Sequence, residues 1–226
     1  MANEPDTSGL PAEQRLRVTF ATDDAVKYVG HLDMARTWER AIRRSGLPLA
    51  YSRGFNPQAR IQFAAALPLG FTGLAEIIDI YLTATCEPDG AANSLRAALP
   101  RGVTPVSAHT VEIGLPALQA QIVQAHYCVE VETEDDDDAF RERLAHFMAR
   151  ETAWRERRKG KENVRYDLRP LVLDVRYTGA SEIGQSFEAL MSNAPGATGR
   201  PDELLAELGH SAAARKIIRT RLIFAD

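Results

Sequence analysis

The chain has 226 residues, of which 45% are apolar and 26% are charged, and its formal net charge at pH 7 is -4. This composition is that of a globular protein with one or two cores, and the negative net charge excludes a protein that binds polyanions with its whole surface. No apolar run reaches the roughly 20 residues that cross a bilayer, and the first residues carry no signal-peptide pattern, so we expect a cytoplasmic protein without a membrane partner.

Strands and helices alternate through the first half of the chain, after a tail at residues 1–14 that we expect to be disordered. Leu16, Val18 and Phe20 alternate with polar residues, which predicts a half-buried strand. The predicted strands are 15–20, 47–52, 60–70, 75–83 and 102–113, and the predicted helices are 31–46 and 87–99.

A similar order of elements begins again after residues 114–121, where we place a domain boundary. The four aspartates at 135–138 stand at the start of a predicted helix and complement its dipole, so we interpret them as a cap and not as a metal site. The predicted strands lie within 122–133, 153–170, 171–178, 185–193 and 214–224, and the predicted helices are 135–151 and 200–209.

The two halves together predict an α+β protein made of two tandem ferredoxin-like sandwiches, each an antiparallel sheet with helices on one face. The N-terminal domain is expected at residues 15–115, and it carries a basic helix and a Gly-Phe-Asn-Pro loop. The C-terminal domain is expected at residues 116–226.

The helix predicted at 31–46 has an apolar face, which is centred on Trp38 and Ile42, and an opposite basic face. Between residues 15 and 70 nine positive residues stand against four negative ones, and we expect the guanidiniums of this helix to lack acidic partners four residues away. The basic face is the first part of a candidate ligand-binding site, and it consists of Arg36, Arg40, Arg43 and Arg44.

The loop after this helix is the second part of the candidate site. Gly54 lets a ligand approach the backbone, and Asn56, which the following proline holds extended, offers an amide. Arg53 and Arg60 are candidate phosphate partners, and Phe55 is a candidate for stacking on a base. The alternative interpretation is a tight strand connection in which Phe55 fills the core.

Cysteine and histidine spacings form no metal-binding motif, and no glycine-rich nucleotide-binding loop is present, so we expect neither a metal nor a cofactor. His31 opens the basic helix shortly after Lys27, and it is a candidate either for acid–base chemistry or for anchoring the helix.

Two other basic segments are interpreted as plain surface: the stretch 154–165, and the last strand, where Arg219 and Arg221 are expected to share one face.

A resemblance to a known family runs from Lys27 to Leu82 and includes the motifs YVGHLDMARTWERAIRRSG and YSRGFNPQARIQFAAALPLG. In the second half it includes DLRP, GRPDELL and RKIIRTRL. The chain resembles the radical-SAM-linked protein family, a bacterial domain of unknown function whose genes lie beside, or are fused to, radical SAM genes, often near ribonuclease E/G. The resemblance implies a radical SAM protein as a partner. The family usually has Ser at Gly30 and a His-Pro pair at Gln58 and Ala59, so this chain lacks that histidine.

Three functions are compatible with these features. The leading hypothesis is a non-enzymatic RNA-binding or substrate-presenting partner of a radical SAM enzyme. One alternative is a metal-independent endoribonuclease resembling the RAMP-type CRISPR repeat-processing enzymes, with His31 as general acid/base and Lys27 and Arg53 stabilising the phosphorane charge. The other alternative is a scaffold that recognises only protein.

Overall fold

The structure, a computed structural model, describes residues 10–159, 162–211 and 213–225. Its first elements are β1 (Gln14–Thr22), α1 (His31–Arg44), β2 (Ile61–Phe63), β3 (Phe71–Leu82), α2 (Pro88–Ala98), β4 (Val103–Val111) and α3 (Leu118–Gln121). They are followed by β5 (Ile122–Val131), α4 (Asp137–Ala149), β6 (Trp154–Lys159), β7 (Glu162–Asp167), β8 (Val172–Ala180), β9 (Gln185–Ala194), β10 (Ala197–Thr198), α5 (Pro201–Glu207) and β11 (Arg215–Phe224). Residues 1–9 of the predicted tail lie outside the described residues, and β1 begins at Gln14.

The chain divides into two compact units, Met1–Gln121 and Ile122–Asp226, which are called here the N-terminal unit and the C-terminal unit. The boundary between the two units lies after residue 121, whereas the predicted domain boundary lies after residue 115. The short helix α3 belongs to the N-terminal unit, where the amide of Leu118 donates a hydrogen bond of 3.0 Å to the side chain of Gln62 in β2.

The N-terminal unit contains antiparallel strands in the order β2-β3-β1-β4. Leu16 and Val18 of β1 point toward α1 and α2, where they join one buried cluster with Trp38 and Leu95. The ring of Trp38 lies 4.8 Å from that of Phe20, centre to centre. Burial of each large apolar side chain stabilises the fold by about 1.5–3 kcal/mol. The apolar residues of β1 and the apolar face of α1 therefore favour packing of the helix on the strands.

The opposite face of β1 is buried as well. The carboxylate of Asp79 on β3 accepts hydrogen bonds of 2.8 Å from Nε of Arg15 and 2.8 Å from Nε of Arg17. The Arg15 guanidinium also donates to the carbonyl oxygens of Leu115 and Pro116. The two arginines counted in the positive balance of residues 15–70 are therefore not part of a surface patch.

The C-terminal unit contains antiparallel strands in the order β8-β9-β5-β11, with the short β10 paired to β9. Helix α4 buries Phe140, Leu144 and Phe147, as its sequence pattern predicts. Asp136 precedes α4, and its carboxylate accepts a hydrogen bond from the amide of Ala139 at 2.9 Å, so the aspartate run caps the helix as predicted. Strands β6 and β7 form a separate two-stranded sheet.

The predicted α+β architecture with antiparallel strand pairing is present, and the two ferredoxin-like sandwiches stay a prediction. The predicted strand at 47–52 is reduced to two isolated bridges, Leu49 to Leu82 and Tyr51 to Ala59. Pro48 has no amide hydrogen, so this segment cannot form a continuous ladder. In the described part of the chain, no helix combines the length and the apolar character needed to cross a membrane.

Candidate functional site

A cleft opens in the N-terminal unit beside the first turn of α1. Most of its wall is apolar, and three phenylalanines, Phe20, Phe63 and Phe71, contribute rings to it. The polar and charged side chains that line it are Thr22, Lys27, His31 and Glu76. Ligand pockets in proteins combine in this way a largely apolar wall with a few polar groups.

Glu76 is a buried carboxylate in this cleft, with only 4% of its surface exposed. It lies on β3 opposite Phe20 of β1. A Cβ atom at Gly73 would come within 2.5 Å of Oε1 of Glu76, so glycine at position 73 makes room for the carboxyl group. The amide of Gly73 donates a hydrogen bond of 2.9 Å to the hydroxyl of Thr22, which holds the two strands together at this point.

Lys27 and His31 come to the cleft from the loop before α1 and from its first residue. The ammonium group of Lys27 lies 3.3 Å from the carboxylate of Asp24, and the Lys27 backbone carbonyl accepts a hydrogen bond of 2.6 Å from the amide of Gly70. The exposed His31 ring packs edge-on against Phe63, with 5.3 Å between ring centres. His31 therefore packs against Phe63 at the start of the helix and lines the cleft, and its acid–base role stays a prediction.

The Gly-Phe-Asn-Pro loop projects from the N-terminal unit. The amide of Ser52 donates to the carbonyl oxygen of Gln58 at 2.8 Å, and the amide of Gln58 donates to the Ser52 hydroxyl at 2.9 Å, so the base of the loop is closed. Gly54 adopts a φ of 132°, which favours glycine. Phe55 at the tip is fully exposed, with a relative accessibility of 107%, so the interpretation in which it fills the core is wrong.

The predicted ligand-binding residues of this loop differ in exposure. Arg53, Gly54, Phe55 and Asn56 are exposed together at the tip. Arg60 is only partly exposed, and its guanidinium lies 4.5 Å from the centre of the Tyr81 ring, where a cation–π contact stabilises it. Arg60 thus supports the base of the loop and does not share the exposure of the tip.

The four arginines of α1 are exposed, but the expectation that they lack acidic partners is wrong. Arg36 lies 3.2 Å from Asp33, and Arg43 lies 3.9 Å from Glu39, four residues before it. Arg44 donates a hydrogen bond of 2.6 Å to the carbonyl oxygen of Ala98 at the end of α2. Within the residues that the structure describes, Arg40 is the one of the four with no hydrogen bond or ion pair.

The structure brings Lys27 and His31 together in the cleft, but Arg53 and the four helix arginines are not among the residues that line it. Glu76 is a cleft residue that was not predicted from the sequence, although an acidic residue beside the apolar run IIDIYL was a usable signal. Among the described residues, no group of three or more His, Cys, Asp or Glu side chains is placed to hold a metal ion.

The basic segments of the C-terminal unit differ from the arrangement that the sequence pattern predicts. A register shift between Arg219 and Arg221 turns these residues to different environments, so that Arg219 is buried and Arg221 is exposed. The expectation that they share one face is therefore wrong. On β6, Trp154 is half exposed and stacks against the guanidinium of Arg165 at 4.6 Å. Residues 160 and 161 of the stretch 154–165 lie outside the described residues.

Residues 15–201 match a family described as an uncharacterized protein conserved in bacteria, DUF2344. The chain belongs to this family. The match to DUF2344 includes the whole cleft and the exposed loop, so both candidate sites lie within the family domain. No curated protein matches the chain.

Two solved structures align with this DUF2344 protein. A chain in the crystal structure of a Cbf5-Nop10-Gar1 complex aligns with a TM-score of 0.53 and 11% identity, over 96% of this chain and 54% of that chain. A chain of the archaeal box H/ACA sRNP Nop10-Cbf5 complex aligns with a TM-score of 0.45 and 9% identity, over 92% of this chain and 47% of that chain. The chain thus spans about half the length of these structures, and the first likeness shows the fold alone.

Proposed function

We propose that this protein is a non-enzymatic RNA-binding protein that presents RNA to a radical SAM enzyme, and that the loop tip Arg53–Gln58 contacts the RNA. The observation that carries the proposal is the complete exposure of Phe55. An apolar ring held in water at the tip of a closed loop contributes nothing to the core, and it is placed to stack on an unpaired base.

The neighbours of Phe55 support this proposal. Arg53 is exposed two residues before the ring and Asn56 directly after it, so a phosphate and a base edge can be contacted together with the stacked base. Arg40 on α1 adds an exposed cation in the same unit. A single aromatic stack of this kind contributes about 1–3 kcal/mol and tolerates different bases, which is the behaviour expected of a protein that presents RNA without reading its sequence.

The proposal includes a ferredoxin-like fold for each unit. The strand orders β2-β3-β1-β4 and β8-β9-β5-β11 support it, because each unit has the same order and the outer strands follow helices in the chain.

The radical SAM partner rests on the resemblance of residues 27–82 to the radical-SAM-linked family. If this partner is correct, we expect a radical SAM protein to co-purify with the tagged chain.

The RNA contact is tested with Phe55→Ala. We expect this substitution to weaken binding of a fluorescent single-stranded RNA by about 5- to 100-fold in anisotropy titrations, because one base loses its stacking partner. The fold is expected to be unchanged, since the Phe55 ring is fully exposed.

Trp154→Ala is the matched control, because Trp154 is a half-exposed aromatic residue of the other unit. RNA binding that is unaffected by Phe55→Ala, or that is lost with Trp154→Ala instead, contradicts the proposed site. The absence of RNA binding to the unmodified protein contradicts the proposed function.

The ribonuclease alternative is less well supported by the geometry. Lys27 and His31 line the cleft, but Arg53 is not among its lining residues, so the three proposed catalytic groups are not assembled at one point. The same titrations decide between the two functions: RNA recovered intact is expected, and a 2′,3′-cyclic phosphate product that disappears with His31→Ala would favour the enzyme.

A further inference from the structure

We infer that the β6–β7 hairpin of the C-terminal unit docks on the acidic segment 132–138 of a second copy of this chain, a contact separate from the proposed RNA binding. Trp154 on β6 is 53% exposed, and the guanidinium of the exposed Arg165 on β7 lies 4.6 Å from the centre of its ring. These two residues are called here the anchor pair. Tryptophan and arginine are enriched among the residues that dominate the binding energy of protein interfaces.

The base of the hairpin is fixed to the end of α4. The guanidinium of Arg169 donates a hydrogen bond of 2.9 Å to the carbonyl oxygen of Met148, and the amide of Leu168 donates one of 2.9 Å to the carbonyl oxygen of Ala153. The anchor pair lies on the strands that these contacts hold. Because its position is set before any partner binds, little conformational freedom is lost when it enters an interface.

The hairpin is basic, whereas the rest of the C-terminal unit is acidic. Residues 154–167 contain six lysines and arginines against three aspartates and glutamates, and the other residues of 122–226 contain ten against sixteen. The hairpin therefore favours an acidic partner surface. The guanidinium already stacks on the indole of Trp154, which leaves less of the ring for a base, so the anchor pair favours protein over RNA.

The acidic segment offers such a surface at the other end of α4. Asp135 is bonded to Arg143 at 2.9 Å, and the other carboxylate residues of the segment are exposed: Glu132, Glu134, Asp136, Asp137 and Asp138. Helix α4 has 13 residues and is therefore about 20 Å long. Two copies in antiparallel orientation can place each hairpin on the acidic segment of the other, so that one contact is made twice around a two-fold axis.

The contact predicts a weak dimer that depends on salt. Exposed ion pairs are individually weak and are screened by salt, and the indole of Trp154 supplies the apolar part of the interface. In analytical ultracentrifugation of the full chain, we expect a reversible monomer–dimer equilibrium whose association constant falls about 10-fold between about 50 and 500 mM salt. A chain that stays monomeric up to millimolar concentration, or a dimer that is indifferent to salt, overturns the inference.

A charge exchange tests the two surfaces against each other. Arg165→Glu and Glu134→Lys are each expected to remove the dimer, because like charges then face each other in both contacts. An equimolar mixture of the two variants is expected to restore it, since one contact of the mixed dimer joins the two reversed charges and the other is unmodified. A mixture that stays monomeric overturns the inference.

Glu112→Lys is the matched control, because Glu112 is an exposed carboxylate of the other unit, and it is expected to leave the dimer unchanged. Equal loss of the dimer with Glu112→Lys overturns the inference. Circular dichroism checks that the variants are folded, and Glu132→Lys replaces Glu134→Lys if the latter is not.

Trp154→Ala is expected to weaken the dimer by about 10- to 100-fold and to leave RNA affinity unchanged. Loss of RNA binding with Arg165→Glu would assign the hairpin to RNA and overturn the inference. Loss of RNA binding with Phe55→Ala in a chain that still dimerises concerns the loop alone. Failure of the dimer inference and failure of the loop proposal therefore give different results.

Discussion

At the scale of single residues, Asp79 determines how the positive charge of the N-terminal strands is used. Its side chain and that of Arg15 have no exposed surface, and the side chain of Arg17 is 9% exposed. One carboxylate thus accepts from two buried guanidiniums, and further hydrogen bonds to backbone carbonyls engage both terminal nitrogens of Arg15. Such a group is costly to break, because removal of one partner leaves buried charge without compensation.

Asp79→Asn is expected to lower the free energy of unfolding by about 3–5 kcal/mol, because two buried guanidiniums lose their counter-charge. Urea titration followed by circular dichroism measures the change. Asp174→Asn serves as the control, since Asp174 is exposed and its substitution is expected to change stability by less than about 0.5 kcal/mol. Similar free energies of unfolding for the two variants would show that Asp79 does not stabilise the fold by compensating the buried guanidiniums.

At the scale of elements, Glu207 ties three parts of the C-terminal unit together. It is the last residue of α5, and its carboxylate accepts hydrogen bonds of 2.8 Å from Arg150, just after α4, and 2.7 Å from Arg155 on β6. Partial burial acts to raise the pKa of Glu207, but the hydrogen bonds and positive charge of Arg155 and Arg150 outweigh it and hold the pKa below its ordinary value. The folded state therefore favours the charged carboxylate.

The pH dependence of stability follows from this shift. Because the pKa of Glu207 is lower in the folded than in the unfolded state, its contribution is present at neutral pH and is lost as the pH falls below about 4. Glu207→Gln is expected to lower the melting temperature at pH 7 by about 2–4 °C. The difference from the unmodified protein should shrink toward pH 3, as measured by thermal melting across pH.

Glu142→Gln is the matched control for this series, because Glu142 lies exposed on α4. A difference between Glu207→Gln and the unmodified protein that is the same at every pH would contradict the assignment.

At the scale of the whole molecule, a net charge of -4 coexists with exposed cations in one unit. Arg15, Arg17 and Arg219 are buried, and Arg36 and Arg43 pair with acidic residues of their own helix. Few exposed cations are therefore expected to neutralise phosphates, and examples in the N-terminal unit are Arg53 at the loop tip and Arg40 on α1. The proposed RNA binding should depend on salt only moderately.

We expect the logarithm of the RNA affinity to fall with the logarithm of salt concentration with a slope between about -1.4 and -2.8, corresponding to about two to four phosphate contacts. Arg40→Ala should reduce the magnitude of the slope by about 0.7. Arg101→Ala is the control, as an exposed arginine elsewhere in the same unit. A much steeper slope, or one that Arg101→Ala changes as much, would argue for diffuse binding instead of the loop site.

The positions of the helices α1, α2, α4 and α5 and of most strands were predictable from the sequence, because periodicity and caps are local properties, whereas the short helix α3 was not predicted. Trp38 and Ile42 of α1 and Phe140 and Leu144 of α4 lie on the buried faces that their spacing predicts. The bulge between Arg219 and Arg221 was not predictable, because a register shift depends on the partner strand.

By itself, the sequence determined the α+β order of elements, the membership of a bacterial family of unknown function and the identity of the loop residues at the candidate site. Only the tertiary structure decided which charges are exposed, since the pairing of strands buries Arg15 and Arg17 against Asp79 and leaves Arg40 in solvent. It also decided that Lys27, His31 and Glu76, up to 49 residues apart in sequence, line one cleft while Phe55 stands away from it. The physical reason is that burial and proximity depend on contacts between distant segments, which no local pattern of residues contains.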